Sequence, residues 1–241
     1  MLSMRNVPPN LYSIRGVMGC CHLLVDQDSQ GNSRVVMIDT GMIGESFQIR
    51  YLLRRLCIKE RALTSVILTH GHLDHAGNLA WFKERCGAEI YAHPLEQIHI
   101  NGEYPYQGIN KWCGKLEAVG RVAFRTQSVS VDKFFQEGDE LPFWSGLRVV
   151  HMPGHTEGHC GFYSKKYNLL FSGDMFASYF FNVHMPPAIL NSRPELFRAS
   201  YEKMRALNSE LLVPSHYDVL DGKLHKRRFD SLYERRLKFL S

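Results

Sequence analysis

The segment His70-Gly71-His72-Leu73-Asp74-His75 lies directly behind the apolar run Val66-Ile67-Leu68, and no other feature restricts the chain so much. In extended backbone, residues two apart point the same way, so His70 and His72 can grip one cation together. Gly71 lets the backbone bend between them. Asp74 and His75 then open a helix, turn away from the first pair and can reach a second cation. A polar surface turn would account for the first two histidines alone. The rest of the chain argues against that reading.

Each further candidate follows an apolar stretch that reads as a strand. Asp39 follows Val35–Ile38, and His155 follows Leu147–His151 through Met152-Pro153-Gly154. Asp174 follows Leu169–Phe171, and His216 follows Leu211–Val213. Side chains on separate loops at one end of a sheet converge in space although they are far apart in sequence. Further strands are expected at Leu11–Arg15, His22–Val25, Glu89–Ala92 and His159–Tyr163. Helices are expected around Ile49–Cys57, over Ala76–Cys86 with Gly87 as the stop, and near Lys115–Val119. Ser192, Pro194 and Glu195 fit a capping box for a helix whose inner face is Phe197, Tyr201 and Met204. Two strand-rich halves with helices outside predict an α/β protein with two sheets face to face and helices covering both. At 241 residues the chain is read as one domain over 1–241.

In order, THGHLDHAGN, MPGHTEGH, LFSGD and PSHYD resemble the motifs of the metallo-β-lactamase superfamily. The resemblance runs from about Val35 to His216. It implies the four-layer αβ/βα sandwich of that family and a centre of two divalent ions, zinc first, with iron or manganese as alternatives. Carried over by residue, one ion would bind His70, His72 and His155. The other would bind Asp74, His75 and His216, with Asp174 bridging. Imidazole and carboxylate suit several divalent metals, so the donor set does not name one. Such a centre implies a metal-bound hydroxide as nucleophile, with Asp74 as the catalytic residue that orients it.

Asp39 is read either as a partner that orients a ligand or as a plain strand-end residue. His159 is read as a structural histidine, and His93 and His151 are not expected to touch metal. Two aromatic segments, 102–108 and 176–187, are expected to shape a substrate pocket, with Tyr179 and His184 as substrate contacts. Some lactonases of the family place a tyrosine three residues after the bridging aspartate. That position is Ala177 here, and the tyrosine stands two later. The reading is hydrolysis of a small carboxylic ester, thioester or lactone. A phosphodiesterase or nuclease is the alternative, followed by a mononuclear iron dioxygenase and a non-catalytic binder.

The nuclease alternative draws on charge. The net charge is +5, and residues 223–241 carry seven Lys/Arg against two acidic residues, which leaves 22 of each sign elsewhere. A basic C-terminal helix, 223–241, is therefore expected, either as an anion-attracting surface or as a solvated face. The six cysteines lack any CxxC spacing, and Cys20 and Cys21 are adjacent, so reduced, mostly buried thiols are expected. No apolar run approaches the ~20 residues that span a bilayer. The chain is read as cytoplasmic, without a membrane partner and with a small-molecule substrate. Its oligomeric state is left open.

Overall fold

A computed structural model describes residues 5–27, 30–42, 44–104, 106–179 and 182–237. Phe180 and Phe181 of the expected aromatic flap and Lys238 of the basic tail lie outside the described residues.

Strands β1 (Leu11–Arg15), β2 (Cys20–Gln27) and β3 (Ser33–Ile38) form an antiparallel meander. β4 (Leu63–Ile67), β5 (Glu89–Ala92) and β6 (Lys133–Phe134) extend it in parallel, giving one sheet in chain order. Parallel neighbours need long crossovers, which here run through helices. α1 (Ser46–Arg55) joins β3 to β4, while α2 (Leu73–Ala76) and α3 (Leu79–Cys86) join β4 to β5. α4 (Gln97–Ile100) and α5 (Lys111–Ala123) precede β6. The second sheet holds β7 (Glu140–Leu141), β8 (Leu147–His151), β9 (Cys160–Ser164), β10 (Leu169–Tyr179) and β11 (Asn182–His184), in the order β11-β10-β9-β8-β7. After α6 (Phe197–Ala206), β12 (Leu211–Tyr217) returns parallel to β10, and α7 (Gly222–Arg235) follows.

Side-chain alternation builds the layers. On β2, Cys20 and Leu24 face the second sheet, while Cys21 and Leu23 face the helices outside the first. Ile38, Ile67, Val149, Phe162, Phe171 and Val213 fill the space between the sheets. Ile49, Leu53, Leu79 and Phe82 cover the first sheet, and Phe197, Tyr201, Phe229 and Tyr233 cover the second. This is the four-layer α/β sandwich expected from the sequence.

Three local readings need correction. The helix expected over Ala76–Cys86 is two helices. Asn78 breaks it by giving its side-chain amide to the carbonyls of Thr40, at 2.8 Å, and Met42. The capping box at Ser192 does not form: Glu195 binds Arg193 at 2.6 Å instead, and a short 3₁₀ turn, Pro194–Leu196, leads into α6. Asp174 and His216 lie within strands, because β10 and β12 continue past the apolar runs. The basic helix is also less free than its charge suggested. α7 buries His225, Phe229, Leu232 and Tyr233, while Lys226 binds Asp230 and Arg228 binds Ser178. All six cysteines are unpaired, and Cys20, Cys21, Cys113 and Cys160 are buried, whereas Cys57 is exposed.

Candidate metal centre

The loops after β3, β4 and β8 meet β10 and β12 at one edge of the sandwich. Asp39 holds the first two loops together. At φ 58° it takes the left-handed backbone that aspartate tolerates. Its carboxylate accepts from the Thr69 amide and hydroxyl, both at 2.8 Å, and from His75 Nδ1 at 2.9 Å. Of the two readings of Asp39, the structure thus favours the orienting partner. Asp174 is aimed by irregular pairing of β10 with β12 on either side of Gly173, whose φ is 54°.

His70, His72, His75 and His155 share one pattern: one ring nitrogen is occupied by a protein partner and the other is left over. His70 Nδ1 meets Thr69 Oγ1 at 3.0 Å, and His155 Nδ1 meets Asn191 Oδ1 at 2.9 Å. His72 is turned the other way, with Nε2 2.7 Å from the Tyr106 hydroxyl, leaving Nδ1. The Nε2 atoms of His70, His75 and His155, with Asp174 Oδ1, are buried and have no hydrogen-bond partner. Each such orphan costs about 1–3 kcal/mol. Their convergence fits cations, whose ligands are lone pairs of this kind.

Ligand atoms of His70, His72 and His155 lie within 4.8 Å of one another, as do those of Asp74, His75 and His216. Asp174 stands between the groups: its Oδ2 is 3.5 Å from His155 Nε2 and 3.0 Å from His216 Nε2, and its Oδ1 is 3.5 Å from His75 Nε2. The structure therefore brings all seven expected residues together, and a third group, His70, His75 and Asp174, overlaps the other two.

Electrostatics divide the seven residues into two kinds. Burial pulls the His75 imidazole down, yet Asp174, Asp74 and Asp39 outweigh it and lift it well above its ordinary value. Burial would raise the Asp74 and Asp174 carboxyls, but His75 and His216 hold both below the usual range. Burial, with neighbouring histidines, pushes His70 and His72 well down, so both are neutral. Ionised carboxylates and neutral imidazoles are the protonation states that bind metal, so Asp74, Asp174, His70 and His72 are ready for it, whereas the neighbouring carboxylates favour a proton on His75 and His216 that a cation would have to displace.

Other expectations resolve individually. Both His159 nitrogens are used, by Met152 O at 3.1 Å and by the Asp174 amide at 3.0 Å, so His159 braces the bridging residue. His93 stacks on His151 at 4.5 Å. Tyr179 and His184 line a 460 Å³ cavity with Phe176, Met185, Pro187 and Leu190, which opens onto His155, Asp174 and His216. Tyr104 and Tyr106 turn inward toward His99 instead of facing that cavity. Sequence reasoning missed Glu96. This fully buried carboxylate accepts from the Gly71 amide at 2.7 Å, the Thr156 hydroxyl at 2.7 Å and the Gly158 amide at 2.9 Å, pinning the two histidine loops to each other. It also missed Glu117, which caps α2 through the Leu73 amide at 2.9 Å, and Asn191. No spacing rule signals these three, because each acts across the fold.

Fold and site together define an αβ/βα protein built around paired histidine and aspartate clusters. The metallo-beta-lactamase superfamily profile matches residues 20–216, and the chain belongs to that superfamily. It is 34% identical over 152 residues to probable metallo-hydrolase YybB of Bacillus subtilis, covering 63% of this chain and 61% of that protein. It is 27% identical over 157 residues to hydroxyacylglutathione hydrolase GloC of Haemophilus influenzae, covering 64% and 65%. The matches thus span less than two thirds of either relative. Among solved structures, TTHA1623 in a di-iron-bound form superimposes with a TM-score of 0.64 at 24% identity, over 90% of this chain and 97% of that one.

Proposed function

We propose that this protein is a metal-dependent hydrolase that cleaves a carboxylic ester, thioester or lactone of a small molecule at a two-cation centre. The observation that carries the reading is the set of orphaned polar atoms on His70, His75, His155 and Asp174, of which His155 and Asp174 line a largely apolar cavity. His70, His72 and His155 would hold one ion and Asp74, His75 and His216 the other, with Asp174 shared. When bound, such ions supply Lewis acidity and bring the pKa of water toward neutrality. Zinc is the proposed metal. The di-iron TTHA1623 makes iron the first rival, and manganese the second.

The chain's own residues do the rest. Asp74 is kept ionised by His75 and His216, and its carboxylate is partly exposed, so Oδ2 can accept a proton from water and orient it. Phe176, Met185, Pro187 and Leu190 exclude water around the apolar part of a substrate, while Tyr179 and His184 supply polar contacts. Hydroxyacylglutathione, the compound in GloC's name, is a thioester, which supports including thioesters. Lys226 and Arg228 of α7 are already paired, which weakens the support that the tail gives to the phosphodiester alternative.

The test is elemental analysis after reconstitution with zinc, iron or manganese, followed by a panel of esters, thioesters, lactones and phosphodiesters. Two ions per chain and turnover of a carboxylic substrate are expected. Binding that saturates at one ion, or turnover confined to phosphodiesters, overturns the reading.

A further inference from the structure

Helix α5 is inside out. A surface helix of a globular protein normally turns its apolar stripe to the core. Here the inward side carries Cys113, Gly114, Glu117 and Gly120. A Cβ on Gly114 would stand 2.8 Å from Tyr104 Cβ, and one on Gly120 would stand 2.7 Å from Leu73 Cδ2, so the glycines let the helix lie close against α2 and the tyrosine loop. The outward side carries Trp112, Leu116, Val119 and Val122, continued by Ile109 in the preceding turn, and these are 59–80% exposed. Nothing in the described chain covers them.

This face borders the mouth of the metal centre. The turn Gly108–Asn110 packs against Ala188–Leu190, and Leu190 lines the cavity beside His155. On the other side, the β1–β2 turn exposes Val17 (84%) and Met18 (57%), while a Cβ on the adjoining Gly19 would lie 3.4 Å from the His216 ring.

Charge decides the occupant. Lys111, Lys115 and Arg125 are exposed along this segment, and among the described residues none has an acidic partner. The single acidic residue of 108–125, Glu117, is turned inward to Leu73. A second copy docked face to face would bring these cations against one another. An anionic lipid surface would complement them. Trp112, with Lys115 Nζ 4.5 Å from its ring, is the pairing of amphipathic aromatic and cation that suits a headgroup layer. We propose that the outer face of α5, with the Val17–Met18 turn, seats on an anionic phospholipid surface and presents the mouth of the metal centre to it. Seating is distinct from spanning: no helix among the described residues is long and apolar enough to cross a membrane. The sequence alone had suggested no membrane partner, because it showed only the missing span and not the direction in which α5 faces.

The test is sedimentation of the full chain with phosphatidylcholine vesicles, with and without phosphatidylserine, at low salt. The parent should bind the phosphatidylserine vesicles, with a blue shift in tryptophan emission. Leu116→Glu with Val119→Glu should weaken binding at least a hundredfold or so, at least about tenfold for each buried aliphatic side chain lost. Lys111→Gln with Lys115→Gln should weaken it roughly 25-fold, about fivefold for each cation near the surface. These positions are exposed, and circular dichroism shows whether each variant is folded. Parent protein that ignores both vesicles, or folded variants that bind as the parent does, overturns the proposal. So does a dimer in sedimentation velocity that Leu116→Glu with Val119→Glu disperses while the parent fails to bind vesicles, since a second copy would then own the face. None of these readouts depends on which bond the enzyme cleaves.

Discussion

His72 and His159 look alike in sequence, each within a histidine-rich motif, and their hydrogen bonds separate them. His72 spends only Nε2 on a protein partner, whereas both nitrogens of His159 are occupied. His72→Ala or His155→Ala should therefore abolish binding of at least one ion, and activity on the best substrate should fall at least a hundredfold or so. His159→Ala and His93→Ala should retain metal even where stability falls. Equal metal loss in all four by elemental analysis would show that the ligand set is wrong. Tyr106→Phe is a finer probe. It removes the hydroxyl that orients His72 and should weaken metal affinity by roughly 10-fold or more, measured by chelator competition. An unchanged affinity would reduce Tyr106 to packing.

At the scale of elements, the site depends on segments that hold no ligand. The short 3₁₀ turn Pro94–Glu96 supplies the carboxylate that ties the Gly71 loop to the Thr156–Gly158 loop. Glu96→Ala would orphan three donors, at about 1–3 kcal/mol for each. The expected result is a loss of several kcal/mol in urea unfolding, together with weaker retention of metal against a chelator. A variant as stable as the parent would mean that water replaces the carboxylate without cost. The split of the helix after His75 belongs to this scale as well. Gly77 and Asn78 look like ordinary helix residues until Thr40 and Met42, far back in the chain, are brought beside them.

For the whole molecule, acid should unfold the chain through two buried histidines outside the expected ligand set. Burial holds His22 down to about 3, and burial with Arg228 holds His225 down to about 4. Both are depressed below the ordinary 6.5, so below that pH the unfolded chain binds the extra protons. The stability they confer is complete above pH 6.5 and is lost as the pH falls from there toward 4 for His225 and toward 3 for His22. Each costs about 2 kcal/mol between pH 7 and 5. Urea midpoints across that range should shift accordingly, and His22→Gln should flatten the pH slope by about one proton. An unchanged slope would place the acid sensitivity elsewhere. Metal works in the opposite direction: ions that bind only the folded chain add about 2.7 kcal/mol at a hundred times their dissociation constant. Chelation should thus lower the melting temperature by several degrees, and adding the metal back should restore it.

The apolar runs that read as strands, the stop at Gly87 and the order of the histidine motifs are local properties, written in neighbouring residues. They were enough to predict the paired sheets and to name the seven residues now seen together. Glu96, Glu117 and Asn191 were invisible because their partners stand 25 to 62 residues away and no periodicity relates them. The strand-borne positions of Asp174 and His216 were missed because apolar runs mark where a strand is buried, whereas backbone pairing between β10 and β12 continues into polar residues. The outward turn of α5 was likewise undecided by composition. An amphipathic pattern defines two faces, and only packing against Leu73 and Tyr104, which admits glycine and little else, decides which of them meets the protein.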